Sequence, residues 1–191
     1  MGYRHTRAQI LDGALDAVFA DGLNQLTFGR LAKRLAISDR TIVYYFPTKD
    51  DLVTAVLLEV GGHLQTTLAP VFATSVPDHI EMLRRAWPIV ATSHADPVFA
   101  LFFEASGLAA AGCEPYRSLV PRLVEGWIDW AAEFIVGTPS HRRTEAAATI
   151  ALIDGLLLLR QLAGADVAER AAVGLGIARR GRRRQVGTDA T

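Results

Sequence analysis

Residues 27–49 concentrate the side chains whose chemistry suits contacts with a nucleic acid. Hydroxyl and ammonium groups bind phosphate oxygens, which positions a protein on a duplex. A guanidinium can donate two hydrogen bonds to guanine O6 and N7 in the major groove. The candidate residues are Thr27, Ser38, Asp39, Arg40, Thr41, Tyr44, Tyr45 and Lys49. Their usefulness depends on whether the local fold presents them together.

The residue patterns of catalysis and metal binding are missing from the sequence. The single cysteine, Cys113, can form neither an internal disulfide nor a thiolate zinc site. The five histidines show no metal-ligand spacing, and no glycine-rich phosphate loop is present. These histidines are His5, His63, His79, His94 and His141. We therefore expect no catalytic residue, metal or cofactor, and we expect that the protein is not an enzyme.

Residues 27–46, TFGRLAKRLAISDRTIVYYF, have the spacing of two short helices joined by a tight turn at 36–37. Helices that cross near a right angle with almost no linker need a small residue at their contact, which Ala32 supplies. Ser38 is the expected cap of the second helix. Ala36 stands where glycine is usual and costs on the order of 1 kcal/mol if its backbone is left-handed. The other inward residues are expected at Leu31, Leu35, Ile42 and Tyr45. The pattern predicts a helix-turn-helix.

The chain resembles the TetR family of transcriptional repressors. The resemblance rests on Leu26-Thr27-Phe28 opening the first helix of the motif, on residues 38–46 as its recognition helix and on residues 47–52 opening the next helix. It is specific over about residues 5–55, and beyond them only the length and the helical character match. It implies a palindromic double-stranded DNA operator as the main partner.

Side-chain chemistry and the resemblance together assign roles within the motif. Arg40, in the first turn of the recognition helix, is expected to read a base. Asp39 either accepts a hydrogen bond from cytosine N4 or orients Arg40, and its repulsion from phosphate favours the second role. Phosphate contacts are expected from Thr27, Thr41, Tyr44, Tyr45 and Lys49, with a core role as the alternative for Tyr45. Phe46 is expected in the core, and Arg30, Lys33 and Arg34 on a solvated face.

Charge divides the chain into unlike parts although the net charge is zero. Residues 1–50 carry seven Lys and Arg against five Asp, whereas residues 51–178 carry eight Arg against fourteen acidic residues. Five arginines follow between Arg179 and Arg184. The expected divisions are a helix-turn-helix DNA-binding domain at 1–48, a helical regulatory and dimerisation domain at 49–178 and a disordered Arg-rich tail at 179–191.

Hydrophobic periodicity predicts an all-α fold of nine or ten helices. Apolar residues recur at helical spacing over residues 10–19, and no later run alternates with a period of two. Capping boxes and prolines in a first turn mark further helix starts. The predicted N-caps are Thr48 with Asp51, Asp166 with Glu169, Asp96 before Pro97 and Thr138 before Pro139.

Two later segments are apolar on more of their surface than one core can cover. Residues 118–136 have apolar groups on two faces, and residues 146–162 are apolar nearly all round. Such helices need burial on both sides. Two of them from each of two subunits, packed as four helices, would supply it, and the resemblance implies this arrangement. We expect a homodimer; the alternative is a monomer that buries both helices in its own core.

Aromatic residues concentrate in three helices of the acidic part of the chain. Pro88 is expected to kink the first of these helices and to leave a cavity beside the aromatic rings. The resemblance implies that a small, largely apolar effector binds there, and the polar candidates are His63, His94, Glu104 and Asp154. The residues expected to bind the effector are Trp87, Phe99, Phe103, Trp127, Trp130 and Asp154. A plain core is the alternative for the aromatic ones.

The resemblance further implies a repressor that leaves its operator when the effector binds. The helix at about 49–68, softened by Gly61-Gly62, is expected to transmit the change. No run reaches the roughly 20 apolar residues of a membrane span, and the first residues do not resemble a secretion signal. We expect a cytoplasmic protein with no membrane partner. A helical ligand carrier without DNA binding is the alternative that remains.

Overall fold

The computed structural model describes residues 5–179, and this part of the chain is all-α, as predicted. It contains nine α-helices, two short 3-10 turns at Leu23–Gln25 and Ala69–Phe72, and no strand. The helices are α1 (Arg7–Asp21), α2 (Phe28–Leu35), α3 (Asp39–Tyr45), α4 (Lys49–Leu68), α5 (His79–Val90), α6 (Asp96–Ala110), α7 (Tyr116–Ala132), α8 (Pro139–Ala163) and α9 (Ala165–Gly174). The predicted tail, apart from Arg179, lies outside the described residues.

Polar side chains fix where most of these helices begin, because they accept hydrogen bonds from backbone N–H groups that have no partner within the helix. Thr48 and Asp51 form the predicted capping box of α4, and Thr138 caps α8 as predicted. Thr27 caps α2 and Ser38 caps α3. The DNA-binding candidates at 27, 38 and 49 therefore lie at or beside helix starts.

Two predicted caps are wrong, because α6 begins at Asp96 itself and α9 begins at Ala165, before Asp166. Asp96 binds the guanidinium of Arg160 on α8, with Arg160 Nε 2.6 Å from Asp96 Oδ1. Glu169 accepts a hydrogen bond from the indole Nε1 of Trp87 at 2.8 Å. Both α6 and α9 begin without a side-chain cap. Both carboxylates join elements of the body to one another.

The first three helices pack around one small core. We call this part of the chain the head (residues 7–45). Ile10, Leu31 and Ile42, one from each helix, are almost completely buried. Gly13 permits the close approach of α1 and α2, since a Cβ there would lie 2.5 Å from Cδ2 of Leu35. The head is therefore held by apolar packing, and the side chain of Leu35 lies directly against the backbone of α1 at Gly13.

The core of the head continues into α4 and from there into the remaining helices, which we call the body (residues 69–178). Leu52 and Val56 of α4 are buried in the same cluster as Ile10. Leu101 of α6 and Tyr116 of α7 belong to that cluster as well. A domain boundary between residues 48 and 49 would therefore cross a continuous apolar core.

A second apolar cluster fills the body around α8, which packs against α5, α6, α7 and α9. The segment before α5 is tied to the end of α7 by backbone hydrogen bonds. Val76 N donates to the carbonyl of Phe134 at 2.8 Å, and Val136 N donates to the carbonyl of Val76 at 3.0 Å. These bonds close the end of the body that lies next to α8.

Two helical stretches have the length and mean hydropathy of a membrane span, Lys49–Phe72 at 1.2 and Pro139–Ala163 at 1.6. In the fold, 33% and 28% of their apolar windows are buried. A core helix of a soluble helical protein can have the same length and composition. Because α4 and α8 both pack into the apolar clusters, we interpret them as packed helices of the fold.

The turn after α2 generates a test of local strain. Ala36 is the only residue other than glycine with a positive φ among those described, at φ 53° and ψ 42°, and its side chain is exposed. Ala36→Gly should therefore raise the free energy of unfolding, by about 0.5 to 1 kcal/mol, in urea denaturation. Ala32→Gly, at the buried contact of the same helix, is the control and should lower it by at least about 1 kcal/mol. An equal decrease in the free energy of unfolding in both variants would show that the turn is unstrained.

Candidate functional site

The tight turn between α2 and α3 fixes how the second helix is presented. Ile37 N donates a hydrogen bond back to the carbonyl of Ala32 at 3.0 Å, which closes the turn around the left-handed Ala36. Ser38 Oγ then accepts a hydrogen bond from Thr41 N at 3.3 Å and starts α3. Ala32 is 4% exposed, as a close crossing of the two helices requires.

One side of α3 is anchored in the core and the other faces solvent. Ile42 is fully buried, whereas Asp39 and Arg40 are exposed and Tyr44 is 79% exposed. The starts of α2 and α3 adjoin, since a Cβ on Gly29 would lie 3.9 Å from Asp39 Oδ2. Helix N-termini favour anions because their backbone N–H groups point outward. The arrangement suits contact with a phosphate backbone.

Tyr45 and Phe46 divide between surface and core. Tyr45 is half-buried against the head core, and its ring meets that of Tyr44 edge-on at 4.9 Å between centroids. Phe46 is 1% exposed, so it lies in the core as expected. The hydroxyl of Thr41, a half-buried residue, lies 3.0 Å from that of Ser38.

Most basic groups of the head already have a partner within the protein. Arg30 donates to Gln25 Oε1, and Arg34 lies 3.5 Å from Asp21 Oδ2. Arg7 lies over the ring of Phe46, 4.8 Å from its centroid. By contrast, the exposed Arg40 and Lys49 have no ion-pair or hydrogen-bond partner within residues 5–179. Among the predicted contacts, these two carry the positive charge that remains available to DNA.

The body contains a cavity of about 110 Å³ between α4, α5, α6, α7 and α8. Four of the predicted effector residues line it: Phe99, Trp127, Trp130 and Asp154. Phe102, Phe72 and Thr149 also line it and were not among the predicted effector residues. Phe102 follows Phe99 by three residues on one helical face, a signal the sequence contained. Phe72 lies in a 3-10 turn, which no periodicity predicts.

Two predicted effector residues lie elsewhere. Trp87 is buried with its indole N–H on Glu169, so it faces α9. Phe103 follows Phe102 by one residue, about 100° around α6, and packs against the body core. Pro88, expected to open the cavity, is exposed in the last turn of α5. The residues of α5 that do line the cavity are Met82, Ala86 and Val90.

Of the four polar candidates, Asp154 alone lines the cavity. His63 is exposed and lies 3.1 Å from Glu59 Oε1, and His94 is exposed beyond α5. Glu104 points toward the head instead. Burial raises the pKa of Asp154 from 3.8 to about 6. No other lining residue is ionisable, and no described residue hydrogen bonds its carboxylate.

Similarity to known proteins identifies the family. The family model described as "Bacterial regulatory proteins, tetR family" matches residues 10–56. The HTH-type transcriptional regulator BetI of Burkholderia thailandensis is 30% identical over 175 residues, which cover 88% of each chain. The chain belongs to the TetR family. It is a DNA-binding transcriptional regulator and not an enzyme.

Solved structures show the same fold for this TetR-family regulator. A putative TetR-family transcriptional regulator from Rhodococcus sp. superposes with a TM-score of 0.71 at 18% identity, over 92% of this chain and 97% of the other. The multidrug binding protein EbrR, complexed with imidazole, superposes with a TM-score of 0.63 at 22% identity, over 92% of this chain and 93% of the other. At these identities the likeness concerns the fold alone.

In this TetR-family regulator, Glu104 joins α6 to the head. Its carboxylate accepts hydrogen bonds from Leu23 N at 2.9 Å and from Asn24 N at 3.1 Å. Tyr116 lies close by, and its pKa is raised to about 12 by burial and by the negative charges of Glu104 and Asp50. The sequence suggested a polar pocket residue at 104, but the side chain caps a turn of the DNA-binding head.

The buried carboxylate in the cavity generates a prediction for stability against pH. The pKa of Asp154 is about 6 in the fold, against 3.8 for an exposed group, so this carboxyl lowers the free energy of unfolding progressively as the pH rises from about 4 to about 6 and by a constant amount above that range. Asp154→Asn should thus be more stable at pH 7.5, by on the order of 1 to 3 kcal/mol, and equal to wild type near pH 4.

Urea denaturation across this pH range measures the difference. Asp16→Asn, an exposed position on α1, is the matched control and should change stability little at any pH. A difference between Asp154→Asn and wild type that stays constant from pH 4 to pH 8 would contradict the assignment.

Proposed function

We propose that this TetR-family regulator is a cytoplasmic, homodimeric repressor that leaves a palindromic operator when a small, largely apolar effector fills the cavity. The observation that carries the proposal is that α4 and α6 each contact both the cavity and the head. An effector can shift the protein between two states only if it binds them with different affinity. Helices shared by both sites provide a physical route for that difference.

The first shared helix is α4. It starts beside the DNA-binding surface with Lys49, and its buried Leu52 and Val56 pack in the head core. Further along, Leu57 and Leu64 line the cavity. A movement of its second half against an effector therefore changes the position of the head. Gly61 lines the cavity as well, and it faces the indole of Trp127.

The second shared helix is α6. Phe99 and Phe102 line the cavity, and two residues later Glu104 holds the backbone of Leu23 and Asn24 in the head. Less than one helical turn separates the cavity wall from this connection. An effector that displaces either phenylalanine would thus move Glu104 relative to the head.

On the DNA side, few charges are available, so we assign sequence readout and positioning to different groups. Arg40 donates to a guanine, and Asp39, next to it in the first turn of α3, is proposed to orient it once DNA is bound. Helix N-termini and hydroxyls supplement the charge of Lys49 at phosphate. The proposed positioning contacts are Thr27, Ser38, Thr41, Tyr44, Tyr45 and Lys49. Two heads on one duplex double this small set, which is a reason to expect a dimer on a palindromic site.

The exposed face of α8 supports the dimer. Successive exposed positions along it are small or apolar: Ala147, Ala151, Gly155, Leu158 and Leu162. Leu162 is 77% exposed and Leu158 is 40% exposed. Their spacing of three or four residues places them on one stripe of the helix. A second copy packed against this stripe would bury the apolar side chains that one subunit leaves exposed to water.

Among solved neighbours, EbrR is described as a multidrug binding protein and holds imidazole. A protein of this fold can therefore hold a small organic molecule. We propose the same of this chain, with Phe99, Trp127, Trp130 and Asp154 as effector contacts in the cavity. The aromatic and aliphatic lining favours an effector that is mostly apolar.

DNA binding is tested by gel shift with fragments of the gene's own promoter region. Arg40→Ala should cost about 1 to 3 kcal/mol and relax the preference at one base pair of each half-site. Lys49→Ala should weaken binding to all sequences alike and reduce the salt slope by about one unit for each head. Arg170→Ala, an exposed arginine of the body, is the control and should bind like wild type. Failure of the wild type to bind any of these fragments specifically would contradict an operator in its own promoter region.

The dimer is tested by sedimentation equilibrium. Wild type should sediment at about twice the 20.7 kDa of one chain. Leu158→Glu with Leu162→Glu should raise the dissociation constant by on the order of a hundred-fold, because two-fold symmetry places each charge in the interface twice. Leu58→Glu, at an exposed leucine of α4, is the matched control and should remain dimeric. A monomeric wild type would refute the dimer.

A further inference from the structure

The wall of the effector cavity is apolar except at two side chains of α8, Thr149 and Asp154. Thr149 already donates its hydroxyl proton to the carbonyl of Glu145 at 2.9 Å. Asp154 follows Ile150 and Ile153 on the inward face of the helix. It is therefore held in the cavity by the position of the helix rather than by a hydrogen bond of its own.

The carboxylate of Asp154 lacks the compensation that buried charges normally have. Within residues 5–179 it has no ion pair and no hydrogen-bond donor, and the lining residues of α4, α5, α6 and α7 include no ionisable group. Ionised groups in an apolar setting are costly unless they are paired. No described residue of this chain removes that cost, and a positively charged ligand that enters the cavity would do so.

Aromatic rings surround the same space. The indoles of Trp127 and Trp130 meet edge to face at 5.2 Å between ring centroids, and both line the cavity with Phe99 and Phe102. The faces of such rings carry negative electrostatic potential and attract cations, tryptophan most strongly. The aromatic wall and the unpaired carboxylate therefore both favour a positively charged ligand.

We propose that the cavity binds a small organic cation, with Asp154 as its counter-charge and the rings of Trp127 and Trp130 against its alkyl groups. This deepens the proposed function, on which it rests, by naming the chemical class of the effector. A carboxylic acid would be repelled by Asp154, and a neutral hydrocarbon would leave the charge unpaired. An alkylammonium ion supplies both apolar surface and the missing positive charge.

The size of the cavity limits the cation in this state of the protein. An apolar cavity of about 150 Å³ holds one benzene molecule. The cavity here, about 110 Å³, is smaller. It accommodates an ion of about five heavy atoms, and a larger ion would have to displace the walls formed by α4 and α6. That displacement is the kind of change that the proposed release of DNA requires.

The test compares two molecules of five heavy atoms and similar shape, tetramethylammonium and uncharged tert-butanol. Isothermal titration of the full chain should show millimolar or tighter binding of tetramethylammonium and at least ten-fold weaker binding of tert-butanol. Tetraethylammonium measures the tolerance for a larger ion. Sodium chloride at equal ionic strength separates specific binding from a salt effect.

Substitutions show which residues create the preference. Asp154→Asn should weaken the binding of tetramethylammonium about 30-fold or more and leave the binding of tert-butanol nearly unchanged, so that the preference for the cation disappears. Trp130→Leu should weaken the cation more than the alcohol. Asp16→Asn is again the control for loss of a surface charge, and circular dichroism verifies that each variant is folded.

A pH series adds a readout that a purely structural role of Asp154 would not produce. Binding of tetramethylammonium should weaken about ten-fold for each pH unit below the pKa of about 6, whereas binding of tert-butanol should not change. Equal affinity for both molecules in wild type, or a preference that survives in Asp154→Asn, overturns the proposal. So does the absence of any binding by either ammonium ion.

Failure of this proposal can be separated from failure of the proposed function by repeating the gel shift with each ligand. If an uncharged compound releases the DNA and the cations do not bind, the regulator function stands and the cation site is wrong. If the cations bind through Asp154 but the DNA stays bound, the site stands and the proposed release is wrong.

Discussion

The structure depends on one helix, α4, whose apolar side chains pack into two cores at once. The first half of α4 places Leu52 and Val56 in the core of the head, and Leu68 at its end packs into the core of the body. Close packing makes such a helix unable to shift at one end without disturbing the other. The head and the body are therefore linked mechanically, even though the chemistry of DNA contact and that of the cavity have no residue in common.

A second constraint is electrostatic and lies at the join between head and body. Glu104 satisfies two backbone N–H groups of the head, which otherwise would need another acceptor. Because the acceptor belongs to α6 and the donors to the head, this pair of hydrogen bonds fixes one orientation of the two parts. It also explains why an acidic residue stands on a helix that is otherwise apolar around this point. Asp154 presents the opposite case, a carboxylate for which the described chain provides no donor.

Local signals predicted local structure well, and tertiary contacts explain where they failed. Thr48 with Asp51 and Thr138 cap helices as their spacing indicates, because a cap needs only neighbours within one turn. Asp96 and Asp166 with Glu169 carry the same type of signal, but α6 and α9 begin earlier than these caps predict. Arg160 and Trp87 bind the carboxylates of Asp96 and Glu169 from other helices. Competition of this kind depends on which residues the fold brings together. Trp87 illustrates the same limit for the cavity, since its aromatic character indicated a ligand contact and its position on α5 directs it to α9.

The sequence by itself determined the all-α class, the helix-turn-helix and its left-handed turn, and the family, because each depends on spacing within a few residues or on a continuous motif. It also placed Phe99, Trp127, Trp130 and Asp154 among the candidates for the cavity. Tertiary structure alone decided that these four meet around one space while Trp87 and Phe103 do not, and that Glu104 serves the head. The physical reason is that a cavity and an interhelical hydrogen bond depend on how helices are rotated and packed against each other. Residues far apart in the chain set that packing jointly.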